Sequence, residues 1–322
     1  MKQIRVGVVG LGHIGKNHAR VLSELLGGDF TAVHDINSSA AEEIAALYHT
    51  RAAGSLGEFA DLVDAVCLAT PTPTHFELGK ELLERGKHLL VEKPIAENAA
   101  QAKCLSDLAH ERGKILQVGH VERFNPVLDA LEQRLTRPRF IEELRLSPYP
   151  HRSTEIGVVL DLMIHDLEVI LHLVRSPVRH IDAVGVPVLS RGEDIANARL
   201  RFENGCVANI TASRISPEKM RKIRVFQEDA YLSLDYQDQS GEIYRRMGGQ
   251  ITREPVEIEK DEPLKCELHS FIECTRAGSE PKVSGYAATA ALELALEITG
   301  LIQKQNEQQN SAAAPDPPVF TP

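Results

Sequence analysis

Three glycines and one aspartate near the start of the chain carry the first chemical signal. Gly10-Leu11-Gly12-His13-Ile14-Gly15 follows a short β-branched apolar run, residues 4–9, and leads into residues 16–26, where Ala19, Leu22, Leu25 and Leu26 recur at helical spacing. Strand, glycine turn and helix is the setting in which this spacing binds a dinucleotide. Gly10 permits the tight turn, Gly12 lets backbone approach a pyrophosphate, and Gly15 lets the helix pack on the strand. The helix start, with His13 and Ile14, then offers unpaired N–H groups and partial positive charge to the phosphates. Residues 31–35 read as the next strand, and Asp35 ends it about 20 residues after Gly15, where an acid binds ribose hydroxyls. Ile36-Asn37-Ser38-Ser39 brings no Arg or Lys for a 2′-phosphate, so NAD is expected rather than NADP. A second signal lies far downstream. Asp161 and His165 are four apart on a predicted helix and share a face, an arrangement suited to proton exchange near neutral pH. Taken alone, the pair fits a helix N-terminal hydrogen bond and a satisfied histidine better than catalysis.

The 322 residues leave room for two domains, and 43% hydrophobic with 25% charged residues are globular values. A net charge of −10 argues against a nucleic-acid partner, which needs a basic surface. No apolar run reaches roughly 18 residues, so no membrane span is expected. The N-terminal apolar run continues into the glycine turn and is not a removable signal. Cys67, Cys104, Cys206, Cys266 and Cys274 are odd in number and scattered, which predicts a reducing cytoplasm, with no disulfide and no metal signature.

The elements that must position these groups alternate in the first half. Residues 64–69, 88–91 and 115–119 read as strands, and 40–48, 76–85 and 98–112 as helices, the last two stopping at Gly86 and Gly113. This predicts a doubly wound parallel sheet of the Rossmann type, with ligands beyond the carboxyl ends of its strands. The polar segments 70–75, 92–94 and 120–126 fall at those ends and should surround the cofactor. The second half differs. A strand at 141–146 and a long apolar helix at 157–174 precede strand-like segments at 180–189, 196–202, 207–213, 223–227, 231–236 and 242–246, with Asn204-Gly205 as a hairpin signal. An α+β domain with an open, mainly antiparallel sheet is expected. Helices at 264–277 and 286–303 follow, the second packing back on the first domain. The chain divides as 1–122, 123–305 and a disordered tail, 306–322.

Glu92-Lys93-Pro94, Thr70-Pro71 with His75, and Arg123-Phe124-Asn125-Pro126 stand in order behind the glycine turn, with Asp161-x-x-x-His165 beyond. Together, over about residues 4–301, they resemble the Gfo/Idh/MocA (glucose-fructose oxidoreductase / inositol dehydrogenase) family. The resemblance implies an NAD-dependent oxidoreductase that takes a hydride from a secondary hydroxyl of a sugar or sugar nucleotide. It places Lys93, Asp161 and His165 around that hydroxyl: His165 as general base, Asp161 holding His165, and Lys93 hydrogen-bonding the oxygen. It puts Thr70, Pro71, His75, Glu92, Lys93 and Arg123 with Gly10, Gly12, His13, Ile14, Gly15 and Asp35 on the cofactor. His120, Arg152 and Arg214 join Asp161 and His165 on the substrate, with His151 and Asp166 as outer candidates. His13 and His18 fit packing or capping better than catalysis. Asp161, His165, Asp166 and His172 match no metal-ligand spacing, and no metal is expected.

Two stretches look like the members that oxidise UDP-N-acetylhexosamines at carbon 3. One is the glycine turn and helix start from Gly10 to Arg20, with Lys16-Asn17-His18-Ala19-Arg20; the other is Ser213-Arg214-Ile215-Ser216 with Lys219, Arg221, Lys222 and Arg224 downstream. A diphosphate needs cations, and an acidic protein must gather them locally, with Arg152, Arg214, Lys219 and Arg221 as candidates. A solvated basic strand and loop stays open as the other reading. An inositol, polyol or dihydrodiol substrate would need no such cluster. A non-catalytic NAD-binding regulator would lack the catalytic groups, yet all three are present. The resemblance and the alternation of Val184, Val186 and Val188 with Ala183 predict a homodimer or homotetramer through the open sheet face.

Overall fold

The computed structural model describes residues 3–149 and 156–312. The first layer runs β1 (Val6–Val9), α1 (His13–Leu26), β2 (Phe30–His34), α2 (Ser38–Leu47), β3 (Arg51–Ala52), α3 (Leu56–Leu62), β4 (Ala65–Leu68), α4 (His75–Glu84), β5 (His88–Glu92), α5 (Ala99–Glu111) and β6 (Leu116–Gly119). Its strands pair in parallel in the order β3-β2-β1-β4-β5-β6. β1 and β4 are buried throughout, as continuous apolar runs in a sheet covered on both faces must be. Chain order reverses between β1 and β4, and the crevice at such a switch point is where a doubly wound sheet takes its ligand.

The second layer begins with α6 (Pro126–Glu132) and β7 (Pro138–Leu146). A π-helical turn (Val159–Met163) runs into α7 (Ile164–Val174). Then come β8 (Val178–Val186), β9 (Ile195–Phe202), β10 (Val207–Ser213), β11 (Met220–Gln227), β12 (Ala230–Asp235), β13 (Ser240–Met247) and β14 (Gln250–Pro255), followed by α8 (Pro263–Ala277) and α9 (Gly285–Ala312). The strands order as β14-β13-β12-β11-β7-β10-β9-β8, and β7–β10 is the parallel pair in an otherwise antiparallel sheet. Asn204-Gly205 makes the β9–β10 hairpin, with Gly205 at φ +86° and the Asn204 side chain accepting from the Cys206 N–H. α7 and α9 cover one face.

Four differences from the expected elements have physical causes. β3, α3 and α6 are too short for their periodicity to stand out, and β14 is a largely exposed edge strand with no apolar alternation. The helix expected at 157–174 is interrupted by the π turn, which periodicity does not reveal. α9 continues past Gln303 to Ala312, so 306–312 is helix rather than tail. Ile302 is buried there, and the Asn306 side chain donates to the Gly185 carbonyl of β8 at 3.2 Å. Residues 313–322 lie outside the described residues. α9 is also long and apolar enough to cross a membrane, but half of its apolar window is buried in the protein, against α5, α7 and β8.

Candidate active site

The glycine turn is shaped by contact. Gly10 sits at φ +87°, and a Cβ there would come within 2.8 Å of Ala69. A Cβ on Gly15 would lie 1.8 Å from the Gly10 carbonyl oxygen, so helix and turn can close only on glycine. Gly12 has nothing within 4 Å of its missing Cβ: open space at the helix start, where it caps α1 with no side chain over the first N–H groups. Asp35 ends β2 and accepts the Leu11 N–H at 2.6 Å on one oxygen and the Asn37 N–H at 2.8 Å on the other. It thus ties the turn to the second strand and keeps further lone pairs to offer.

A cavity of about 810 Å³ opens along these strand ends. Gly10, Gly12, His13, Ile14, Asp35, Thr70, Pro71, Glu92 and Lys93 line it from the first layer, and Ser147, Ile156, Asp161, Leu162 and Arg214 from the second. Ile36, also in the lining, is fully exposed beside Asp35. A bare apolar surface next to Asp35, open space at Gly12 and an uncapped helix start fit a dinucleotide. Ile36, Ser147, Ile156 and Leu162 stand outside the sequence expectations. Only Ile36, directly after the strand-ending acid, carried a local cue.

Lys93 joins the two layers at one end of this cavity. Its Nζ donates to the Asp161 backbone carbonyl at 2.6 Å and to Asp161 Oδ1 at 3.4 Å. The acceptor lies in the π turn, a distortion that often marks a functional helix segment. The His165 and His120 rings meet edge to face with centroids 5.5 Å apart. Burial, followed by the nearby charges of Lys93 and Arg145, holds His165 well below its ordinary pKa. Burial with Lys93 and Arg123 brings His120 down to about 3. Both rings are therefore neutral at pH 7, and His165 can accept a proton.

Several sequence expectations change here. Asp161 spends its carboxylate on Lys93, not on His165, whose Nδ1 is buried without a hydrogen-bond partner. Arg123 does not reach the cofactor crevice: it is buried and donates to Glu168 and Glu132, both at 3.1 Å, beneath α7. His75 stands behind the crevice wall. Its ring nitrogens lie 2.8 Å from the Pro94 carbonyl and 2.7 Å from that of Thr70; burial keeps the ring neutral, so it donates to one at a time and staples the loops after β4 and β5. Arg214 touches the cavity, but its guanidinium is fully buried on Asp194, Ser190 and the Ile156 carbonyl. Arg221 pairs with Glu122, Lys222 with Asp235 and Arg224 with Glu142, so each of these cations already faces a carboxylate, while Lys219 is exposed. Asp166 is likewise taken, by Arg145. His151 and Arg152 lie outside the described residues.

A parallel sheet with a glycine-turn crevice, beside a second domain whose π turn lends an acid to a strand-end lysine, fits a nicotinamide-dependent oxidoreductase. Residues 4–120 match the oxidoreductase family with an NAD-binding Rossmann fold, and residues 134–233 match the GFO/IDH/MocA C-terminal domain. The chain belongs to the Gfo/Idh/MocA family, and its cofactor is NAD. It is 35% identical to a UDP-N-acetylglucosamine 3-dehydrogenase of Acidithiobacillus ferrooxidans, over 92% of this chain and 97% of that protein. The crystal structure of that enzyme superposes with a TM-score of 0.90 at 34% identity, covering 94% of this chain and 99% of the other. A scyllo-inositol 2-dehydrogenase (NAD(+)) of Bacillus subtilis is 26% identical over 92% of this chain and 93% of its own length.

Proposed function

We propose that this enzyme oxidises a secondary hydroxyl of a UDP-N-acetylhexosamine at carbon 3. The similarity to the Acidithiobacillus enzyme along nearly its whole length supports the substrate. The Lys93–Asp161 contact across the two layers supports the chemistry. NAD supplies the hydride acceptor. Lys93 hydrogen-bonds the substrate oxygen and stabilises the charge that builds as the carbonyl forms. His165, neutral at pH 7, takes the hydroxyl proton. Asp161 holds Lys93 rather than the imidazole.

One observation favours a second reading. Arg214, Arg221, Lys222 and Arg224 all have carboxylate partners, so a neutral cyclitol or other polyol meets no unmatched cluster there. Turnover of UDP-N-acetylglucosamine against myo-inositol, followed by the absorbance of reduced nicotinamide, separates the two. The sugar nucleotide should win by at least roughly 100-fold in kcat/KM; preference for the inositol selects the second reading. No turnover of either, or of a wider sugar-nucleotide and polyol panel, would point to a non-catalytic NAD-binding regulator. We further propose a cytoplasmic homodimer or homotetramer. The free cysteines suit a reducing compartment. Val184 and Val186, about half exposed on β8, and the stacked Phe226, Tyr231 and Tyr244 supply a surface for a second copy, testable by light scattering.

A further inference from the structure

Directly behind Lys93, three ionisable side chains from three elements meet in the protein interior. Glu92 ends β5, His18 comes from the middle of α1 and Glu267 from α8; His18 and Glu267 are fully buried. One Glu92 oxygen lies 3.0 Å from His18 Nε2, and the other accepts the backbone N–H of Lys93 at 3.3 Å. Gly119 on β6 closes the remaining side, since a Cβ there would sit 2.9 Å from the Glu92 carboxyl group. The carboxylate is wedged, and the backbone of Lys93 is fixed to it.

Glu267 completes the group. Donor atoms of the three side chains all lie within 4.8 Å of one another. Neither Glu267 oxygen has a hydrogen-bond partner, and its backbone carbonyl is pinned by Gln117 Nε2 at 3.1 Å. Burial, followed by the neighbouring Glu92, pushes the Glu267 pKa well up, so Glu267 carries a proton. Such a cluster is a poor way to gain stability, because apolar residues of similar volume do as well or better. Its place between the phosphate-binding helix and the catalytic strand end suggests a different use.

We propose that His18, Glu92 and Glu267 form a buried clamp that positions Lys93, locking the strand end that bears the amine to the helix that receives the cofactor phosphates. The clamp rests on the reading of Lys93 as ligand of the reacting hydroxyl. His18 and Glu267 are positioning residues: they act through Glu92 and the Lys93 backbone.

The test is single-turnover hydride transfer at saturating NAD and substrate, with NAD affinity and thermal midpoint measured alongside. His18→Leu and Glu267→Gln should each slow the transfer about 10- to 100-fold, the scale of a small misplacement of a reacting group. NAD affinity should stay within about twofold, because no phosphate or ribose contact is removed. His18→Gln, which can present an N–H near the Nε2 position, should recover most of the rate, whereas His18→Asn should not. In a Lys93→Ala background, His18→Leu should add no further loss. An additive loss there, or effects confined to NAD affinity or melting, would overturn the clamp. So would one equivalent of bound zinc or manganese that Glu267→Gln removes, since the cluster would then be a metal site. If Lys93→Ala itself keeps full turnover, the underlying reading of Lys93 has failed, a result distinct from failure of the clamp. Glu267→Gln is nearly isosteric and decides the matter should His18→Leu not fold.

Discussion

Around the crevice of the first sheet, polar groups keep bonding capacity in reserve, whereas charges in the second sheet are largely spent on one another. Asp35 accepts two backbone N–H groups and still has lone pairs; Gly12 leaves the start of α1 open. In the second sheet Arg145 holds Asp166 and Glu122, Arg214 holds Asp194, and Arg224 holds Glu142. The β7–β11 register sets Arg224 opposite Glu142, and the β11–β12 register sets Lys222 opposite Asp235. A basic stretch therefore becomes a binding surface only where pairing brings it no acid. Lys93 is the exception that links the regions, because its acid comes from the other layer.

The largest effect that sharpens this contrast is at His165. His165→Ala should lower kcat by about 10²- to 10⁴-fold, the usual worth of a positioned base, with NAD affinity unchanged. A kcat within a few-fold of the parent would remove His165 from the chemistry. Next is Arg123, where the two regions are easiest to confuse. Arg123→Met strands the buried Glu168, while Glu132 keeps His172 at 3.0 Å, and should cost about 3–5 kcal/mol in urea unfolding, as loss of one partner of a buried pair does. Loss of NAD affinity at full stability would return Arg123 to the cofactor.

A smaller effect comes from pH. His120 has its pKa depressed from 6.5 to about 3, so the unfolded chain binds a proton that the native chain refuses. Its contribution to stability is complete above pH 6.5 and falls as pH drops from 6.5 toward 3. His120→Gln should flatten the urea midpoint across that window; an unchanged slope would show that His120 titrates normally. The smallest effect is at the half-exposed Arg224–Glu142 pair. Arg224→Met should cost at most about 1 kcal/mol and leave the substrate KM alone. A rise in KM would mean that the basic stretch touches substrate after all.

These outcomes track what a sequence can carry. The glycine turn, Asp35 and the strand-end segments were legible because their chemistry is contiguous: Gly10 and Gly15 answer contacts made within a few residues or at the neighbouring strand end, and Gly12 leaves the helix start open. The antiparallel sheet was legible from its alternation and from Asn204-Gly205. The fate of Arg123 was not, because Glu132 and Glu168 reach it from two other helices. Nor was the turn of Asp161 toward Lys93, which depends on a π turn that leaves no periodic trace. His18 looked like a packing residue; its link to Glu92 spans 74 positions of sequence.

The central claim is that one amine at the end of β5 acts on the reacting oxygen while the second layer holds it there. Single-turnover reduction of bound NAD by Lys93→Ala, at saturating substrate, tests it most directly. The account predicts a rate at least about 100-fold below the parent enzyme with NAD affinity preserved. A rate equal to the parent's would contradict it.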